Sequence, residues 1–305
     1  MTAPRAFLLA ASLCAACQSG TPAADAGVDA ACAPSDVVAA WPAFPMPNPA
    51  RSGLPHPAAY AISGGEVTDQ VTGLIWQRAV DTALFTWNDA RQRCACANVG
   101  GHGGWRLPSR IELASLADWT LSDPAIDGDA FPDTPADAFW SASPMVEDPG
   151  LAWLVYFGTG FSSYDDYATL HHVRCVRGQP AAVLAPPDRY QIDGGTVLDR
   201  QTLLTWQQAE PPMAITWGDA DAYCTSLALG GGGWRLPSIG ELQTIVDESR
   251  SPSTDATAFP TIDTVYYWSS SRVVGDPAYA WAAFFANGST YRMSITTPEW
   301  VRCVR

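Results

Sequence analysis

The stretch Gly103-Gly104-Trp105-Arg106-Leu107-Pro108-Ser109 stands again at Gly232-Gly233-Trp234-Arg235-Leu236-Pro237-Ser238. Seven matched residues in one order indicate a duplicated unit, and the match continues on both sides. Upstream, Tyr60-Ala61-Ile62-Ser63-Gly64-Gly65 answers Tyr190-Gln191-Ile192-Asp193-Gly194-Gly195, and both read as hairpins that turn at Gly-Gly. An extended segment follows in each copy and ends on Trp76-Gln77 or Trp206-Gln207. Thr86-Trp87-Asn88-Asp89 and Thr216-Trp217-Gly218-Asp219 have the Thr-x-x-acid form of a helix start, with Ala90, Cys94 and Ala220, Cys224 at helical spacing.

Downstream, Ser109-Arg110-Ile111-Glu112 and Ser238-Ile239-Gly240-Glu241 spell a capping box, followed by apolar positions on one helical face. Phe139-Trp140-Ser141 and Tyr267-Trp268-Ser269, then Ala152-Trp153 and Ala280-Trp281, then Val173-Arg174-Cys175-Val176-Arg177 and Val301-Arg302-Cys303-Val304-Arg305 complete the copies. Inside the opening block the glycines make a turn, Trp105 and Trp234 fill a core, and the proline ends a short strand before a Ser-capped helix. Arg106 and Arg235 read as buried ion-pair partners rather than ligand-binding groups. The fold class is therefore α+β: two tandem domains, each with two helices and a small twisted antiparallel sheet. The reading divides the chain into 1–16, a signal peptide; 17–57, a Pro- and Ala-rich tether; 58–178, the first domain; 179–189, a linker; and 190–305, the second domain.

A length of 305 residues exceeds what one core usually serves, in agreement with two domains. With 47% hydrophobic and 16% charged residues, compact folding is expected outside the linkers. The formal charge of -14 makes the approach of a phosphate backbone repulsive, which argues against nucleic acid as a partner. The same sign disfavours polyanionic glycans, since no Arg-rich run opposes it.

Met1 to Cys17 carries Arg5 and then a short apolar run, too short to span a bilayer permanently. Cys14-Ala15-Ala16-Cys17 resembles a bacterial lipoprotein signal, which would make Cys17 the lipidated N-terminus; the alternative is an ordinary Ala-type cleavage nearby. Gln18 in the next position, rather than Asp, resembles outer-membrane sorting. The expected location is thus the cell envelope, with lipid as the membrane attachment. Pro42, Pro45, Pro47, Pro49, Pro55 and Pro57 suggest a semi-extended arm that holds the folded part away from the membrane.

In an exported chain the remaining six cysteines suggest three disulfides. The repeat pairs Cys94 with Cys175 and Cys224 with Cys303. Cys96 and Cys32 have no counterparts in the second copy and are expected to pair with each other, against an unpaired or intermolecular Cys32.

Hairpin, helix, helix and a loop-rich set of strands, with a bridge from the first helix to the last strand, resemble the C-type lectin-like fold. The ordered motifs Trp-Arg-Leu-Pro-Ser, Trp-Ser-x-Ser, Ala-Trp and Val-Arg-Cys-Val-Arg resemble the bacterial Lcl C-terminal domain, named for a collagen-like adhesin, over about Tyr60 to Gly178 and Tyr190 to Arg305. The resemblance implies an exported adhesin-type module, there associated with glycosaminoglycan, although this chain has neither a collagen-like stalk nor a basic run.

Recognition is expected where the copies disagree while the framework stays. Tyr164-Asp165-Asp166-Tyr167 in the first copy gives way to Arg292-Met293-Ser294-Ile295 in the second. Rings beside carboxylates suit carbohydrate, so Tyr164, Asp165, Asp166, Tyr167, Tyr291, Arg292 and Trp300 are the candidate ligand residues, with Phe161 beside them; the bland alternative is a solvated hairpin tip. Trp87-Asn88-Asp89 spells a calcium and sugar triplet of C-type lectins, but it opens a helix and reads as its cap. Asp148 and Asp276 precede prolines and read as turn residues, with a cation site as the alternative. His171 and His172 are adjacent, so on a strand they face opposite ways and do not share a metal. The second copy has no His, so its serines lack a catalytic partner. No cofactor, metal or catalytic residue is assigned. The expected function is non-enzymatic binding of a glycan or cell-surface protein; the alternative is a structural, protein-interacting lipoprotein.

Overall fold

The computed structural model describes residues 32–34, 38, 40–178, 185–260 and 265–305. Cys17 and the signal segment lie outside them, as does much of the linker.

The first domain opens with the hairpin β1 (Tyr60–Ser63) and β2 (Glu66–Asp69), continues through β3 (Ile75–Gln77), and places helix α1 (Trp87–Ala95) and helix α2 (Arg110–Ala114) before the strands β4 (Ala138–Pro144), β5 (Leu151–Tyr156) and β6 (Phe161–Asp166). The short β7 (Val176–Arg177) returns to pair with β3, giving one sheet of order β1-β2-β3-β7 and a second of order β4-β5-β6, both antiparallel. The second domain repeats this as β8 (Tyr190–Asp193), β9 (Thr196–Asp199), β10 (Thr205–Gln207), α3 (Trp217–Ser226), α4 (Ile239–Gln243), β11 (Tyr266–Arg272), β12 (Tyr279–Phe284) and β13 (Ser289–Ser294). There Val304 bridges Trp206 and Arg235 in place of a closing strand. The architecture is α+β, as expected.

The repeated block acts as a clamp. Trp105 and Trp234 are buried, and each indole N–H donates to a carbonyl of the preceding turn, His102 or Leu229. Arg106 reaches both carboxylate oxygens of Glu112 at 2.6 and 2.7 Å, and Arg235 reaches Glu241 at 2.6 Å twice. Each glutamate also accepts the N–H of the capping serine, Ser109 or Ser238, while the serine hydroxyl accepts from the glutamate N–H. One residue thereby starts the helix and ties it to the strand before it. The expected ion pairs are present.

Disulfides join Cys94 to Cys175 and Cys224 to Cys303. Each closes a loop of about 80 residues, worth roughly 4 to 5 kcal/mol in the chain-entropy account. The third expected bridge is not formed. The Cys96 sulfur lies 3.7 Å from the Cys32 carbonyl, and the Gln92 amide contacts both residues at 3.1 Å.

The tether also departs from expectation. Residues 40–57 do not stand off as an arm but pack as a strap across both domains. Trp41, Met46 and Asn48 are buried, and Met46 belongs to the first domain's core. Arg189 of the second domain lies 5.0 Å over the Trp41 ring, and the Glu248 N–H donates to the Ala40 carbonyl. Asn48 accepts the Ser238 hydroxyl at 2.6 Å and contacts Glu241 at 3.4 Å, so it completes the second domain's capping box from outside. Prolines bar a regular ladder, but the apolar side chains between them still gain by burial.

The two domains meet through equivalent surfaces. Strands β6 and β13 lie side by side, with the Ser162 N–H donating to Thr290 Oγ1 at 3.0 Å from the matching position. Trp119 and Ala117 of the first domain enter the core of the second. For the clamp, Glu112→Gln is expected to lower stability by about 2 to 4 kcal/mol, because it leaves Arg106 without its acid. Urea denaturation followed by tryptophan fluorescence measures this; a loss below about 1 kcal/mol would remove the clamp from its central place.

Candidate ligand-binding surface

The last-strand arginines belong to the framework. Arg174 is fully buried, donates to the carbonyls of Gln77 and Arg78 and to Thr134 Oγ1, each at 2.7 Å, and lies 4.8 Å over the Phe131 ring. Burial pushes its pKa down to about 9, which leaves it charged at neutral pH. Arg302 repeats the arrangement on Gln207, Gln208 and Phe259 and adds Glu210, which also accepts the Tyr267 hydroxyl. These side chains hold loops to the core and present nothing to a ligand.

The four candidates of the first copy form a stitched turn. Tyr164 is exposed and meets the Trp153 ring edge-on at 5.7 Å. Asp165 accepts from Thr169 Oγ1 at 3.2 Å and lies 3.0 Å from His171 Nε2; Asp166 accepts the Ala168 N–H at 2.8 Å. Tyr167 stacks on Trp87 at 4.2 Å, and Arg91 lies 4.9 Å over the Trp87 ring. Both carboxylates are thus engaged by their own loop. Asp148 accepts the Gly150 N–H and Asp276 the Ala278 N–H, which matches the turn reading. Thr86 accepts the Asp89 N–H, so Trp87-Asn88-Asp89 is a helix start. Among the described residues no group of three or more His, Cys, Asp or Glu is placed to share a cation.

In the second copy Arg292 pairs with Asp276 at 2.7 Å and lies 4.2 Å over the Tyr279 ring. Trp300 is partly buried against the core, with its backbone bonded to Tyr266 and Trp268. Tyr291 is different. Its ring meets Tyr266 at 5.2 Å, Phe284 at 6.0 Å and, from the first domain, Phe161 at 6.2 Å, while Tyr266 stacks on Phe284 at 4.8 Å. All four rings are half-buried. Burial, then the nearby Tyr291 and Glu299, push the Tyr266 hydroxyl pKa up, and burial also raises that of Glu299.

The candidates therefore do not form one site. Tyr291 and Phe161 are brought together, whereas Tyr164 to Tyr167 and Arg292 lie in separate local networks. Tyr266, Phe284 and Glu299 were missed in the sequence. A signal existed: Tyr266 precedes buried Tyr267 and so faces the other side of the strand. Its counterpart is Ala138, and that of Tyr291 is Ser163, while Phe284 answers Tyr156 and Phe161 comes from the first domain, so the cluster forms where the second copy's added rings meet the first domain.

Two clefts flank the domain junction at equivalent places. One, of about 370 Å³, lies between Ser143 and Pro144 of the first domain and Glu248 and Ser249 of the second. Its counterpart, of about 430 Å³, lies between Ser271 and Arg272 of the second and Trp119 and Thr120 of the first. The strap walls both, with Ala40 on one and Leu54 on the other.

The family model described as the Lcl C-terminal domain matches residues 65–177 and again residues 195–305. The chain belongs to the Lcl C-terminal domain family. The two Lcl C-terminal domains lie within the two structural repeats, beginning at the turn after β1 and β8, and exclude the strap. No curated protein matches the chain.

In the first Lcl C-terminal domain, partial burial pushes Asp165 up, but bonds from the Asp166 N–H, His171 and Thr169 outweigh it and hold its pKa below the ordinary carboxylate value. Its contribution to the turn is therefore complete above that ordinary value and is lost as pH falls through the depressed one. Aromatic NMR shifts of Tyr167 and Trp87 are expected to move together as pH falls through the depressed carboxylate range; Asp165→Asn is expected to disturb the same signals at pH 7. Signals unchanged by Asp165→Asn would detach this carboxylate from the ring stack.

Proposed function

We propose that this chain is an exported, membrane-anchored, non-enzymatic binding protein that uses two C-type lectin-like domains to hold carbohydrate at a cell surface. The observation that carries the reading is the half-buried ring cluster of Tyr266, Phe284, Tyr291 and Phe161, present where the second domain departs from the first. Rigid rings with a polar edge offer large contact area at little conformational cost, which suits the apolar face of a sugar with its hydroxyls around the rim. Glu299 beside the rings and the overall charge of -14 favour neutral or amino sugars over sulfated ones.

Export and lipidation rest on Met1 to Cys17, and the tandem arrangement would raise weak single-site affinity where both domains engage. The carboxylates near the candidate loops are already bonded within the protein, so binding is proposed to need no calcium. A glycan array with the purified ectodomain is expected to give signals that survive EDTA. Tyr291→Ala, checked for unchanged thermal unfolding, is expected to weaken them about tenfold, the loss of roughly 1.4 kcal/mol of ring contact. Absence of any glycan signal with or without EDTA would sink the carbohydrate reading and leave a structural, protein-interacting lipoprotein.

A further inference from the structure

The domain junction joins two copies of one domain through the same faces, yet its two ends differ in chemistry. At one end the Arg110 guanidinium donates to Glu248 Oε1 at 2.7 Å, to Gln243 Oε1 at 2.6 Å and to the Gly288 carbonyl at 2.9 Å, with side-chain exposures of 0% for Arg110 and 4% for Glu248. The same guanidinium lies 4.8 Å over the Trp153 ring.

The other end is identified by shared local geometry. Arg110 and Ile239 are both first residues of their helices, and their N–H groups donate to Ser143 and Ser271 hydroxyls at 3.0 and 3.1 Å. Trp119 and Glu248 each sit between the two members of a matching turn, in which Asp118 accepts from Thr120 and Asp247 accepts from Ser249. Ile239 therefore stands for Arg110, and Trp119 stands for Glu248. There the Trp119 ring packs edge-on to Trp281, the counterpart of Trp153, at 5.2 Å, and Ile239 lies in the same buried cluster.

We infer that this face is a heterotypic docking surface: a first domain fits only a second domain, and like faces reject each other. Two first domains meeting this way would set Arg110 against Trp119 at both ends, burying two guanidinium groups without acids. Two second domains would set Glu248 against Ile239, burying two carboxylates without bases. Breaking a buried pair by removing one partner is strongly unfavourable, whereas an apolar pair in its place is tolerated. The repulsive alternatives supply the discrimination that a symmetric apolar junction would lack.

The test reproduces each like-with-like end inside the intact chain. Glu248→Trp sets Arg110 against tryptophan, Arg110→Ile sets isoleucine against Glu248, and the double variant, made together with Gln243→Ala to match Ala114 of the other end, copies the apolar end that the protein already has. Each single variant is expected to lower Tm by about 5 °C or more and to speed hydrogen exchange in β6 and β13. The double variant is expected to recover most of both losses, with Tm within about 5 °C of the unmodified chain. Losses that simply add in the double variant, or a double variant that does not fold, would overturn the inference; the second comparison decides even where a single variant is too unstable to purify.

Discussion

Glu112 and Glu241 each satisfy a helix start and an arginine at once. The carboxylate accepts the N–H of the capping serine and both arms of the guanidinium, so the strand ending in Leu-Pro and the helix beginning at Ser cannot move apart without exposing a charge. Everything downstream is placed from this corner. The helix N–H that follows the serine reaches a hydroxyl of the long strand, Ser143 or Ser271, and that strand carries the central sheet against which the disulfide and the last arginine close.

Duplication lets conserved and altered positions be told apart within one chain. The corners, the disulfides and the buried last-strand arginines are the same in both halves. The differences collect at the junction ends and on the outer face of the second domain's sheet. Both kinds of difference are side-chain replacements within matching elements, which is how a paired domain can gain a contact or a binding surface without refolding.

Much of the fold was legible because it rests on short-range rules. Capping boxes, glycine turns and the Trp-Arg-Leu-Pro-Ser block announce themselves in a few residues, and the repeat supplied the long-range pairing of Cys94 with Cys175 and Cys224 with Cys303. The strap was not legible: a proline-rich composition says that a segment will not form a ladder, not that Met46 joins the first domain's core or that Trp41 and Asn48 find partners 140 or more residues away, in Arg189 and Ser238. The binding surface was half legible. Tyr291 and Phe161 stood out as divergent aromatics, but their meeting depends on how two domains abut, which no local pattern encodes. Cys32 and Cys96 are matched by elimination, and the structure brings them near each other without a bridge.

The strap has a mechanical consequence. A pull on the N-terminal end meets Cys32 against α1 and Val38 against the core that holds the Cys94–Cys175 bridge, and then Ala40 bonded to Glu248 and Trp41 held under Arg189. Load is therefore taken first by the surface contacts of the strap, which can re-form, beside a helix that its disulfide holds to the last strand, and both domains stay folded while the strap peels.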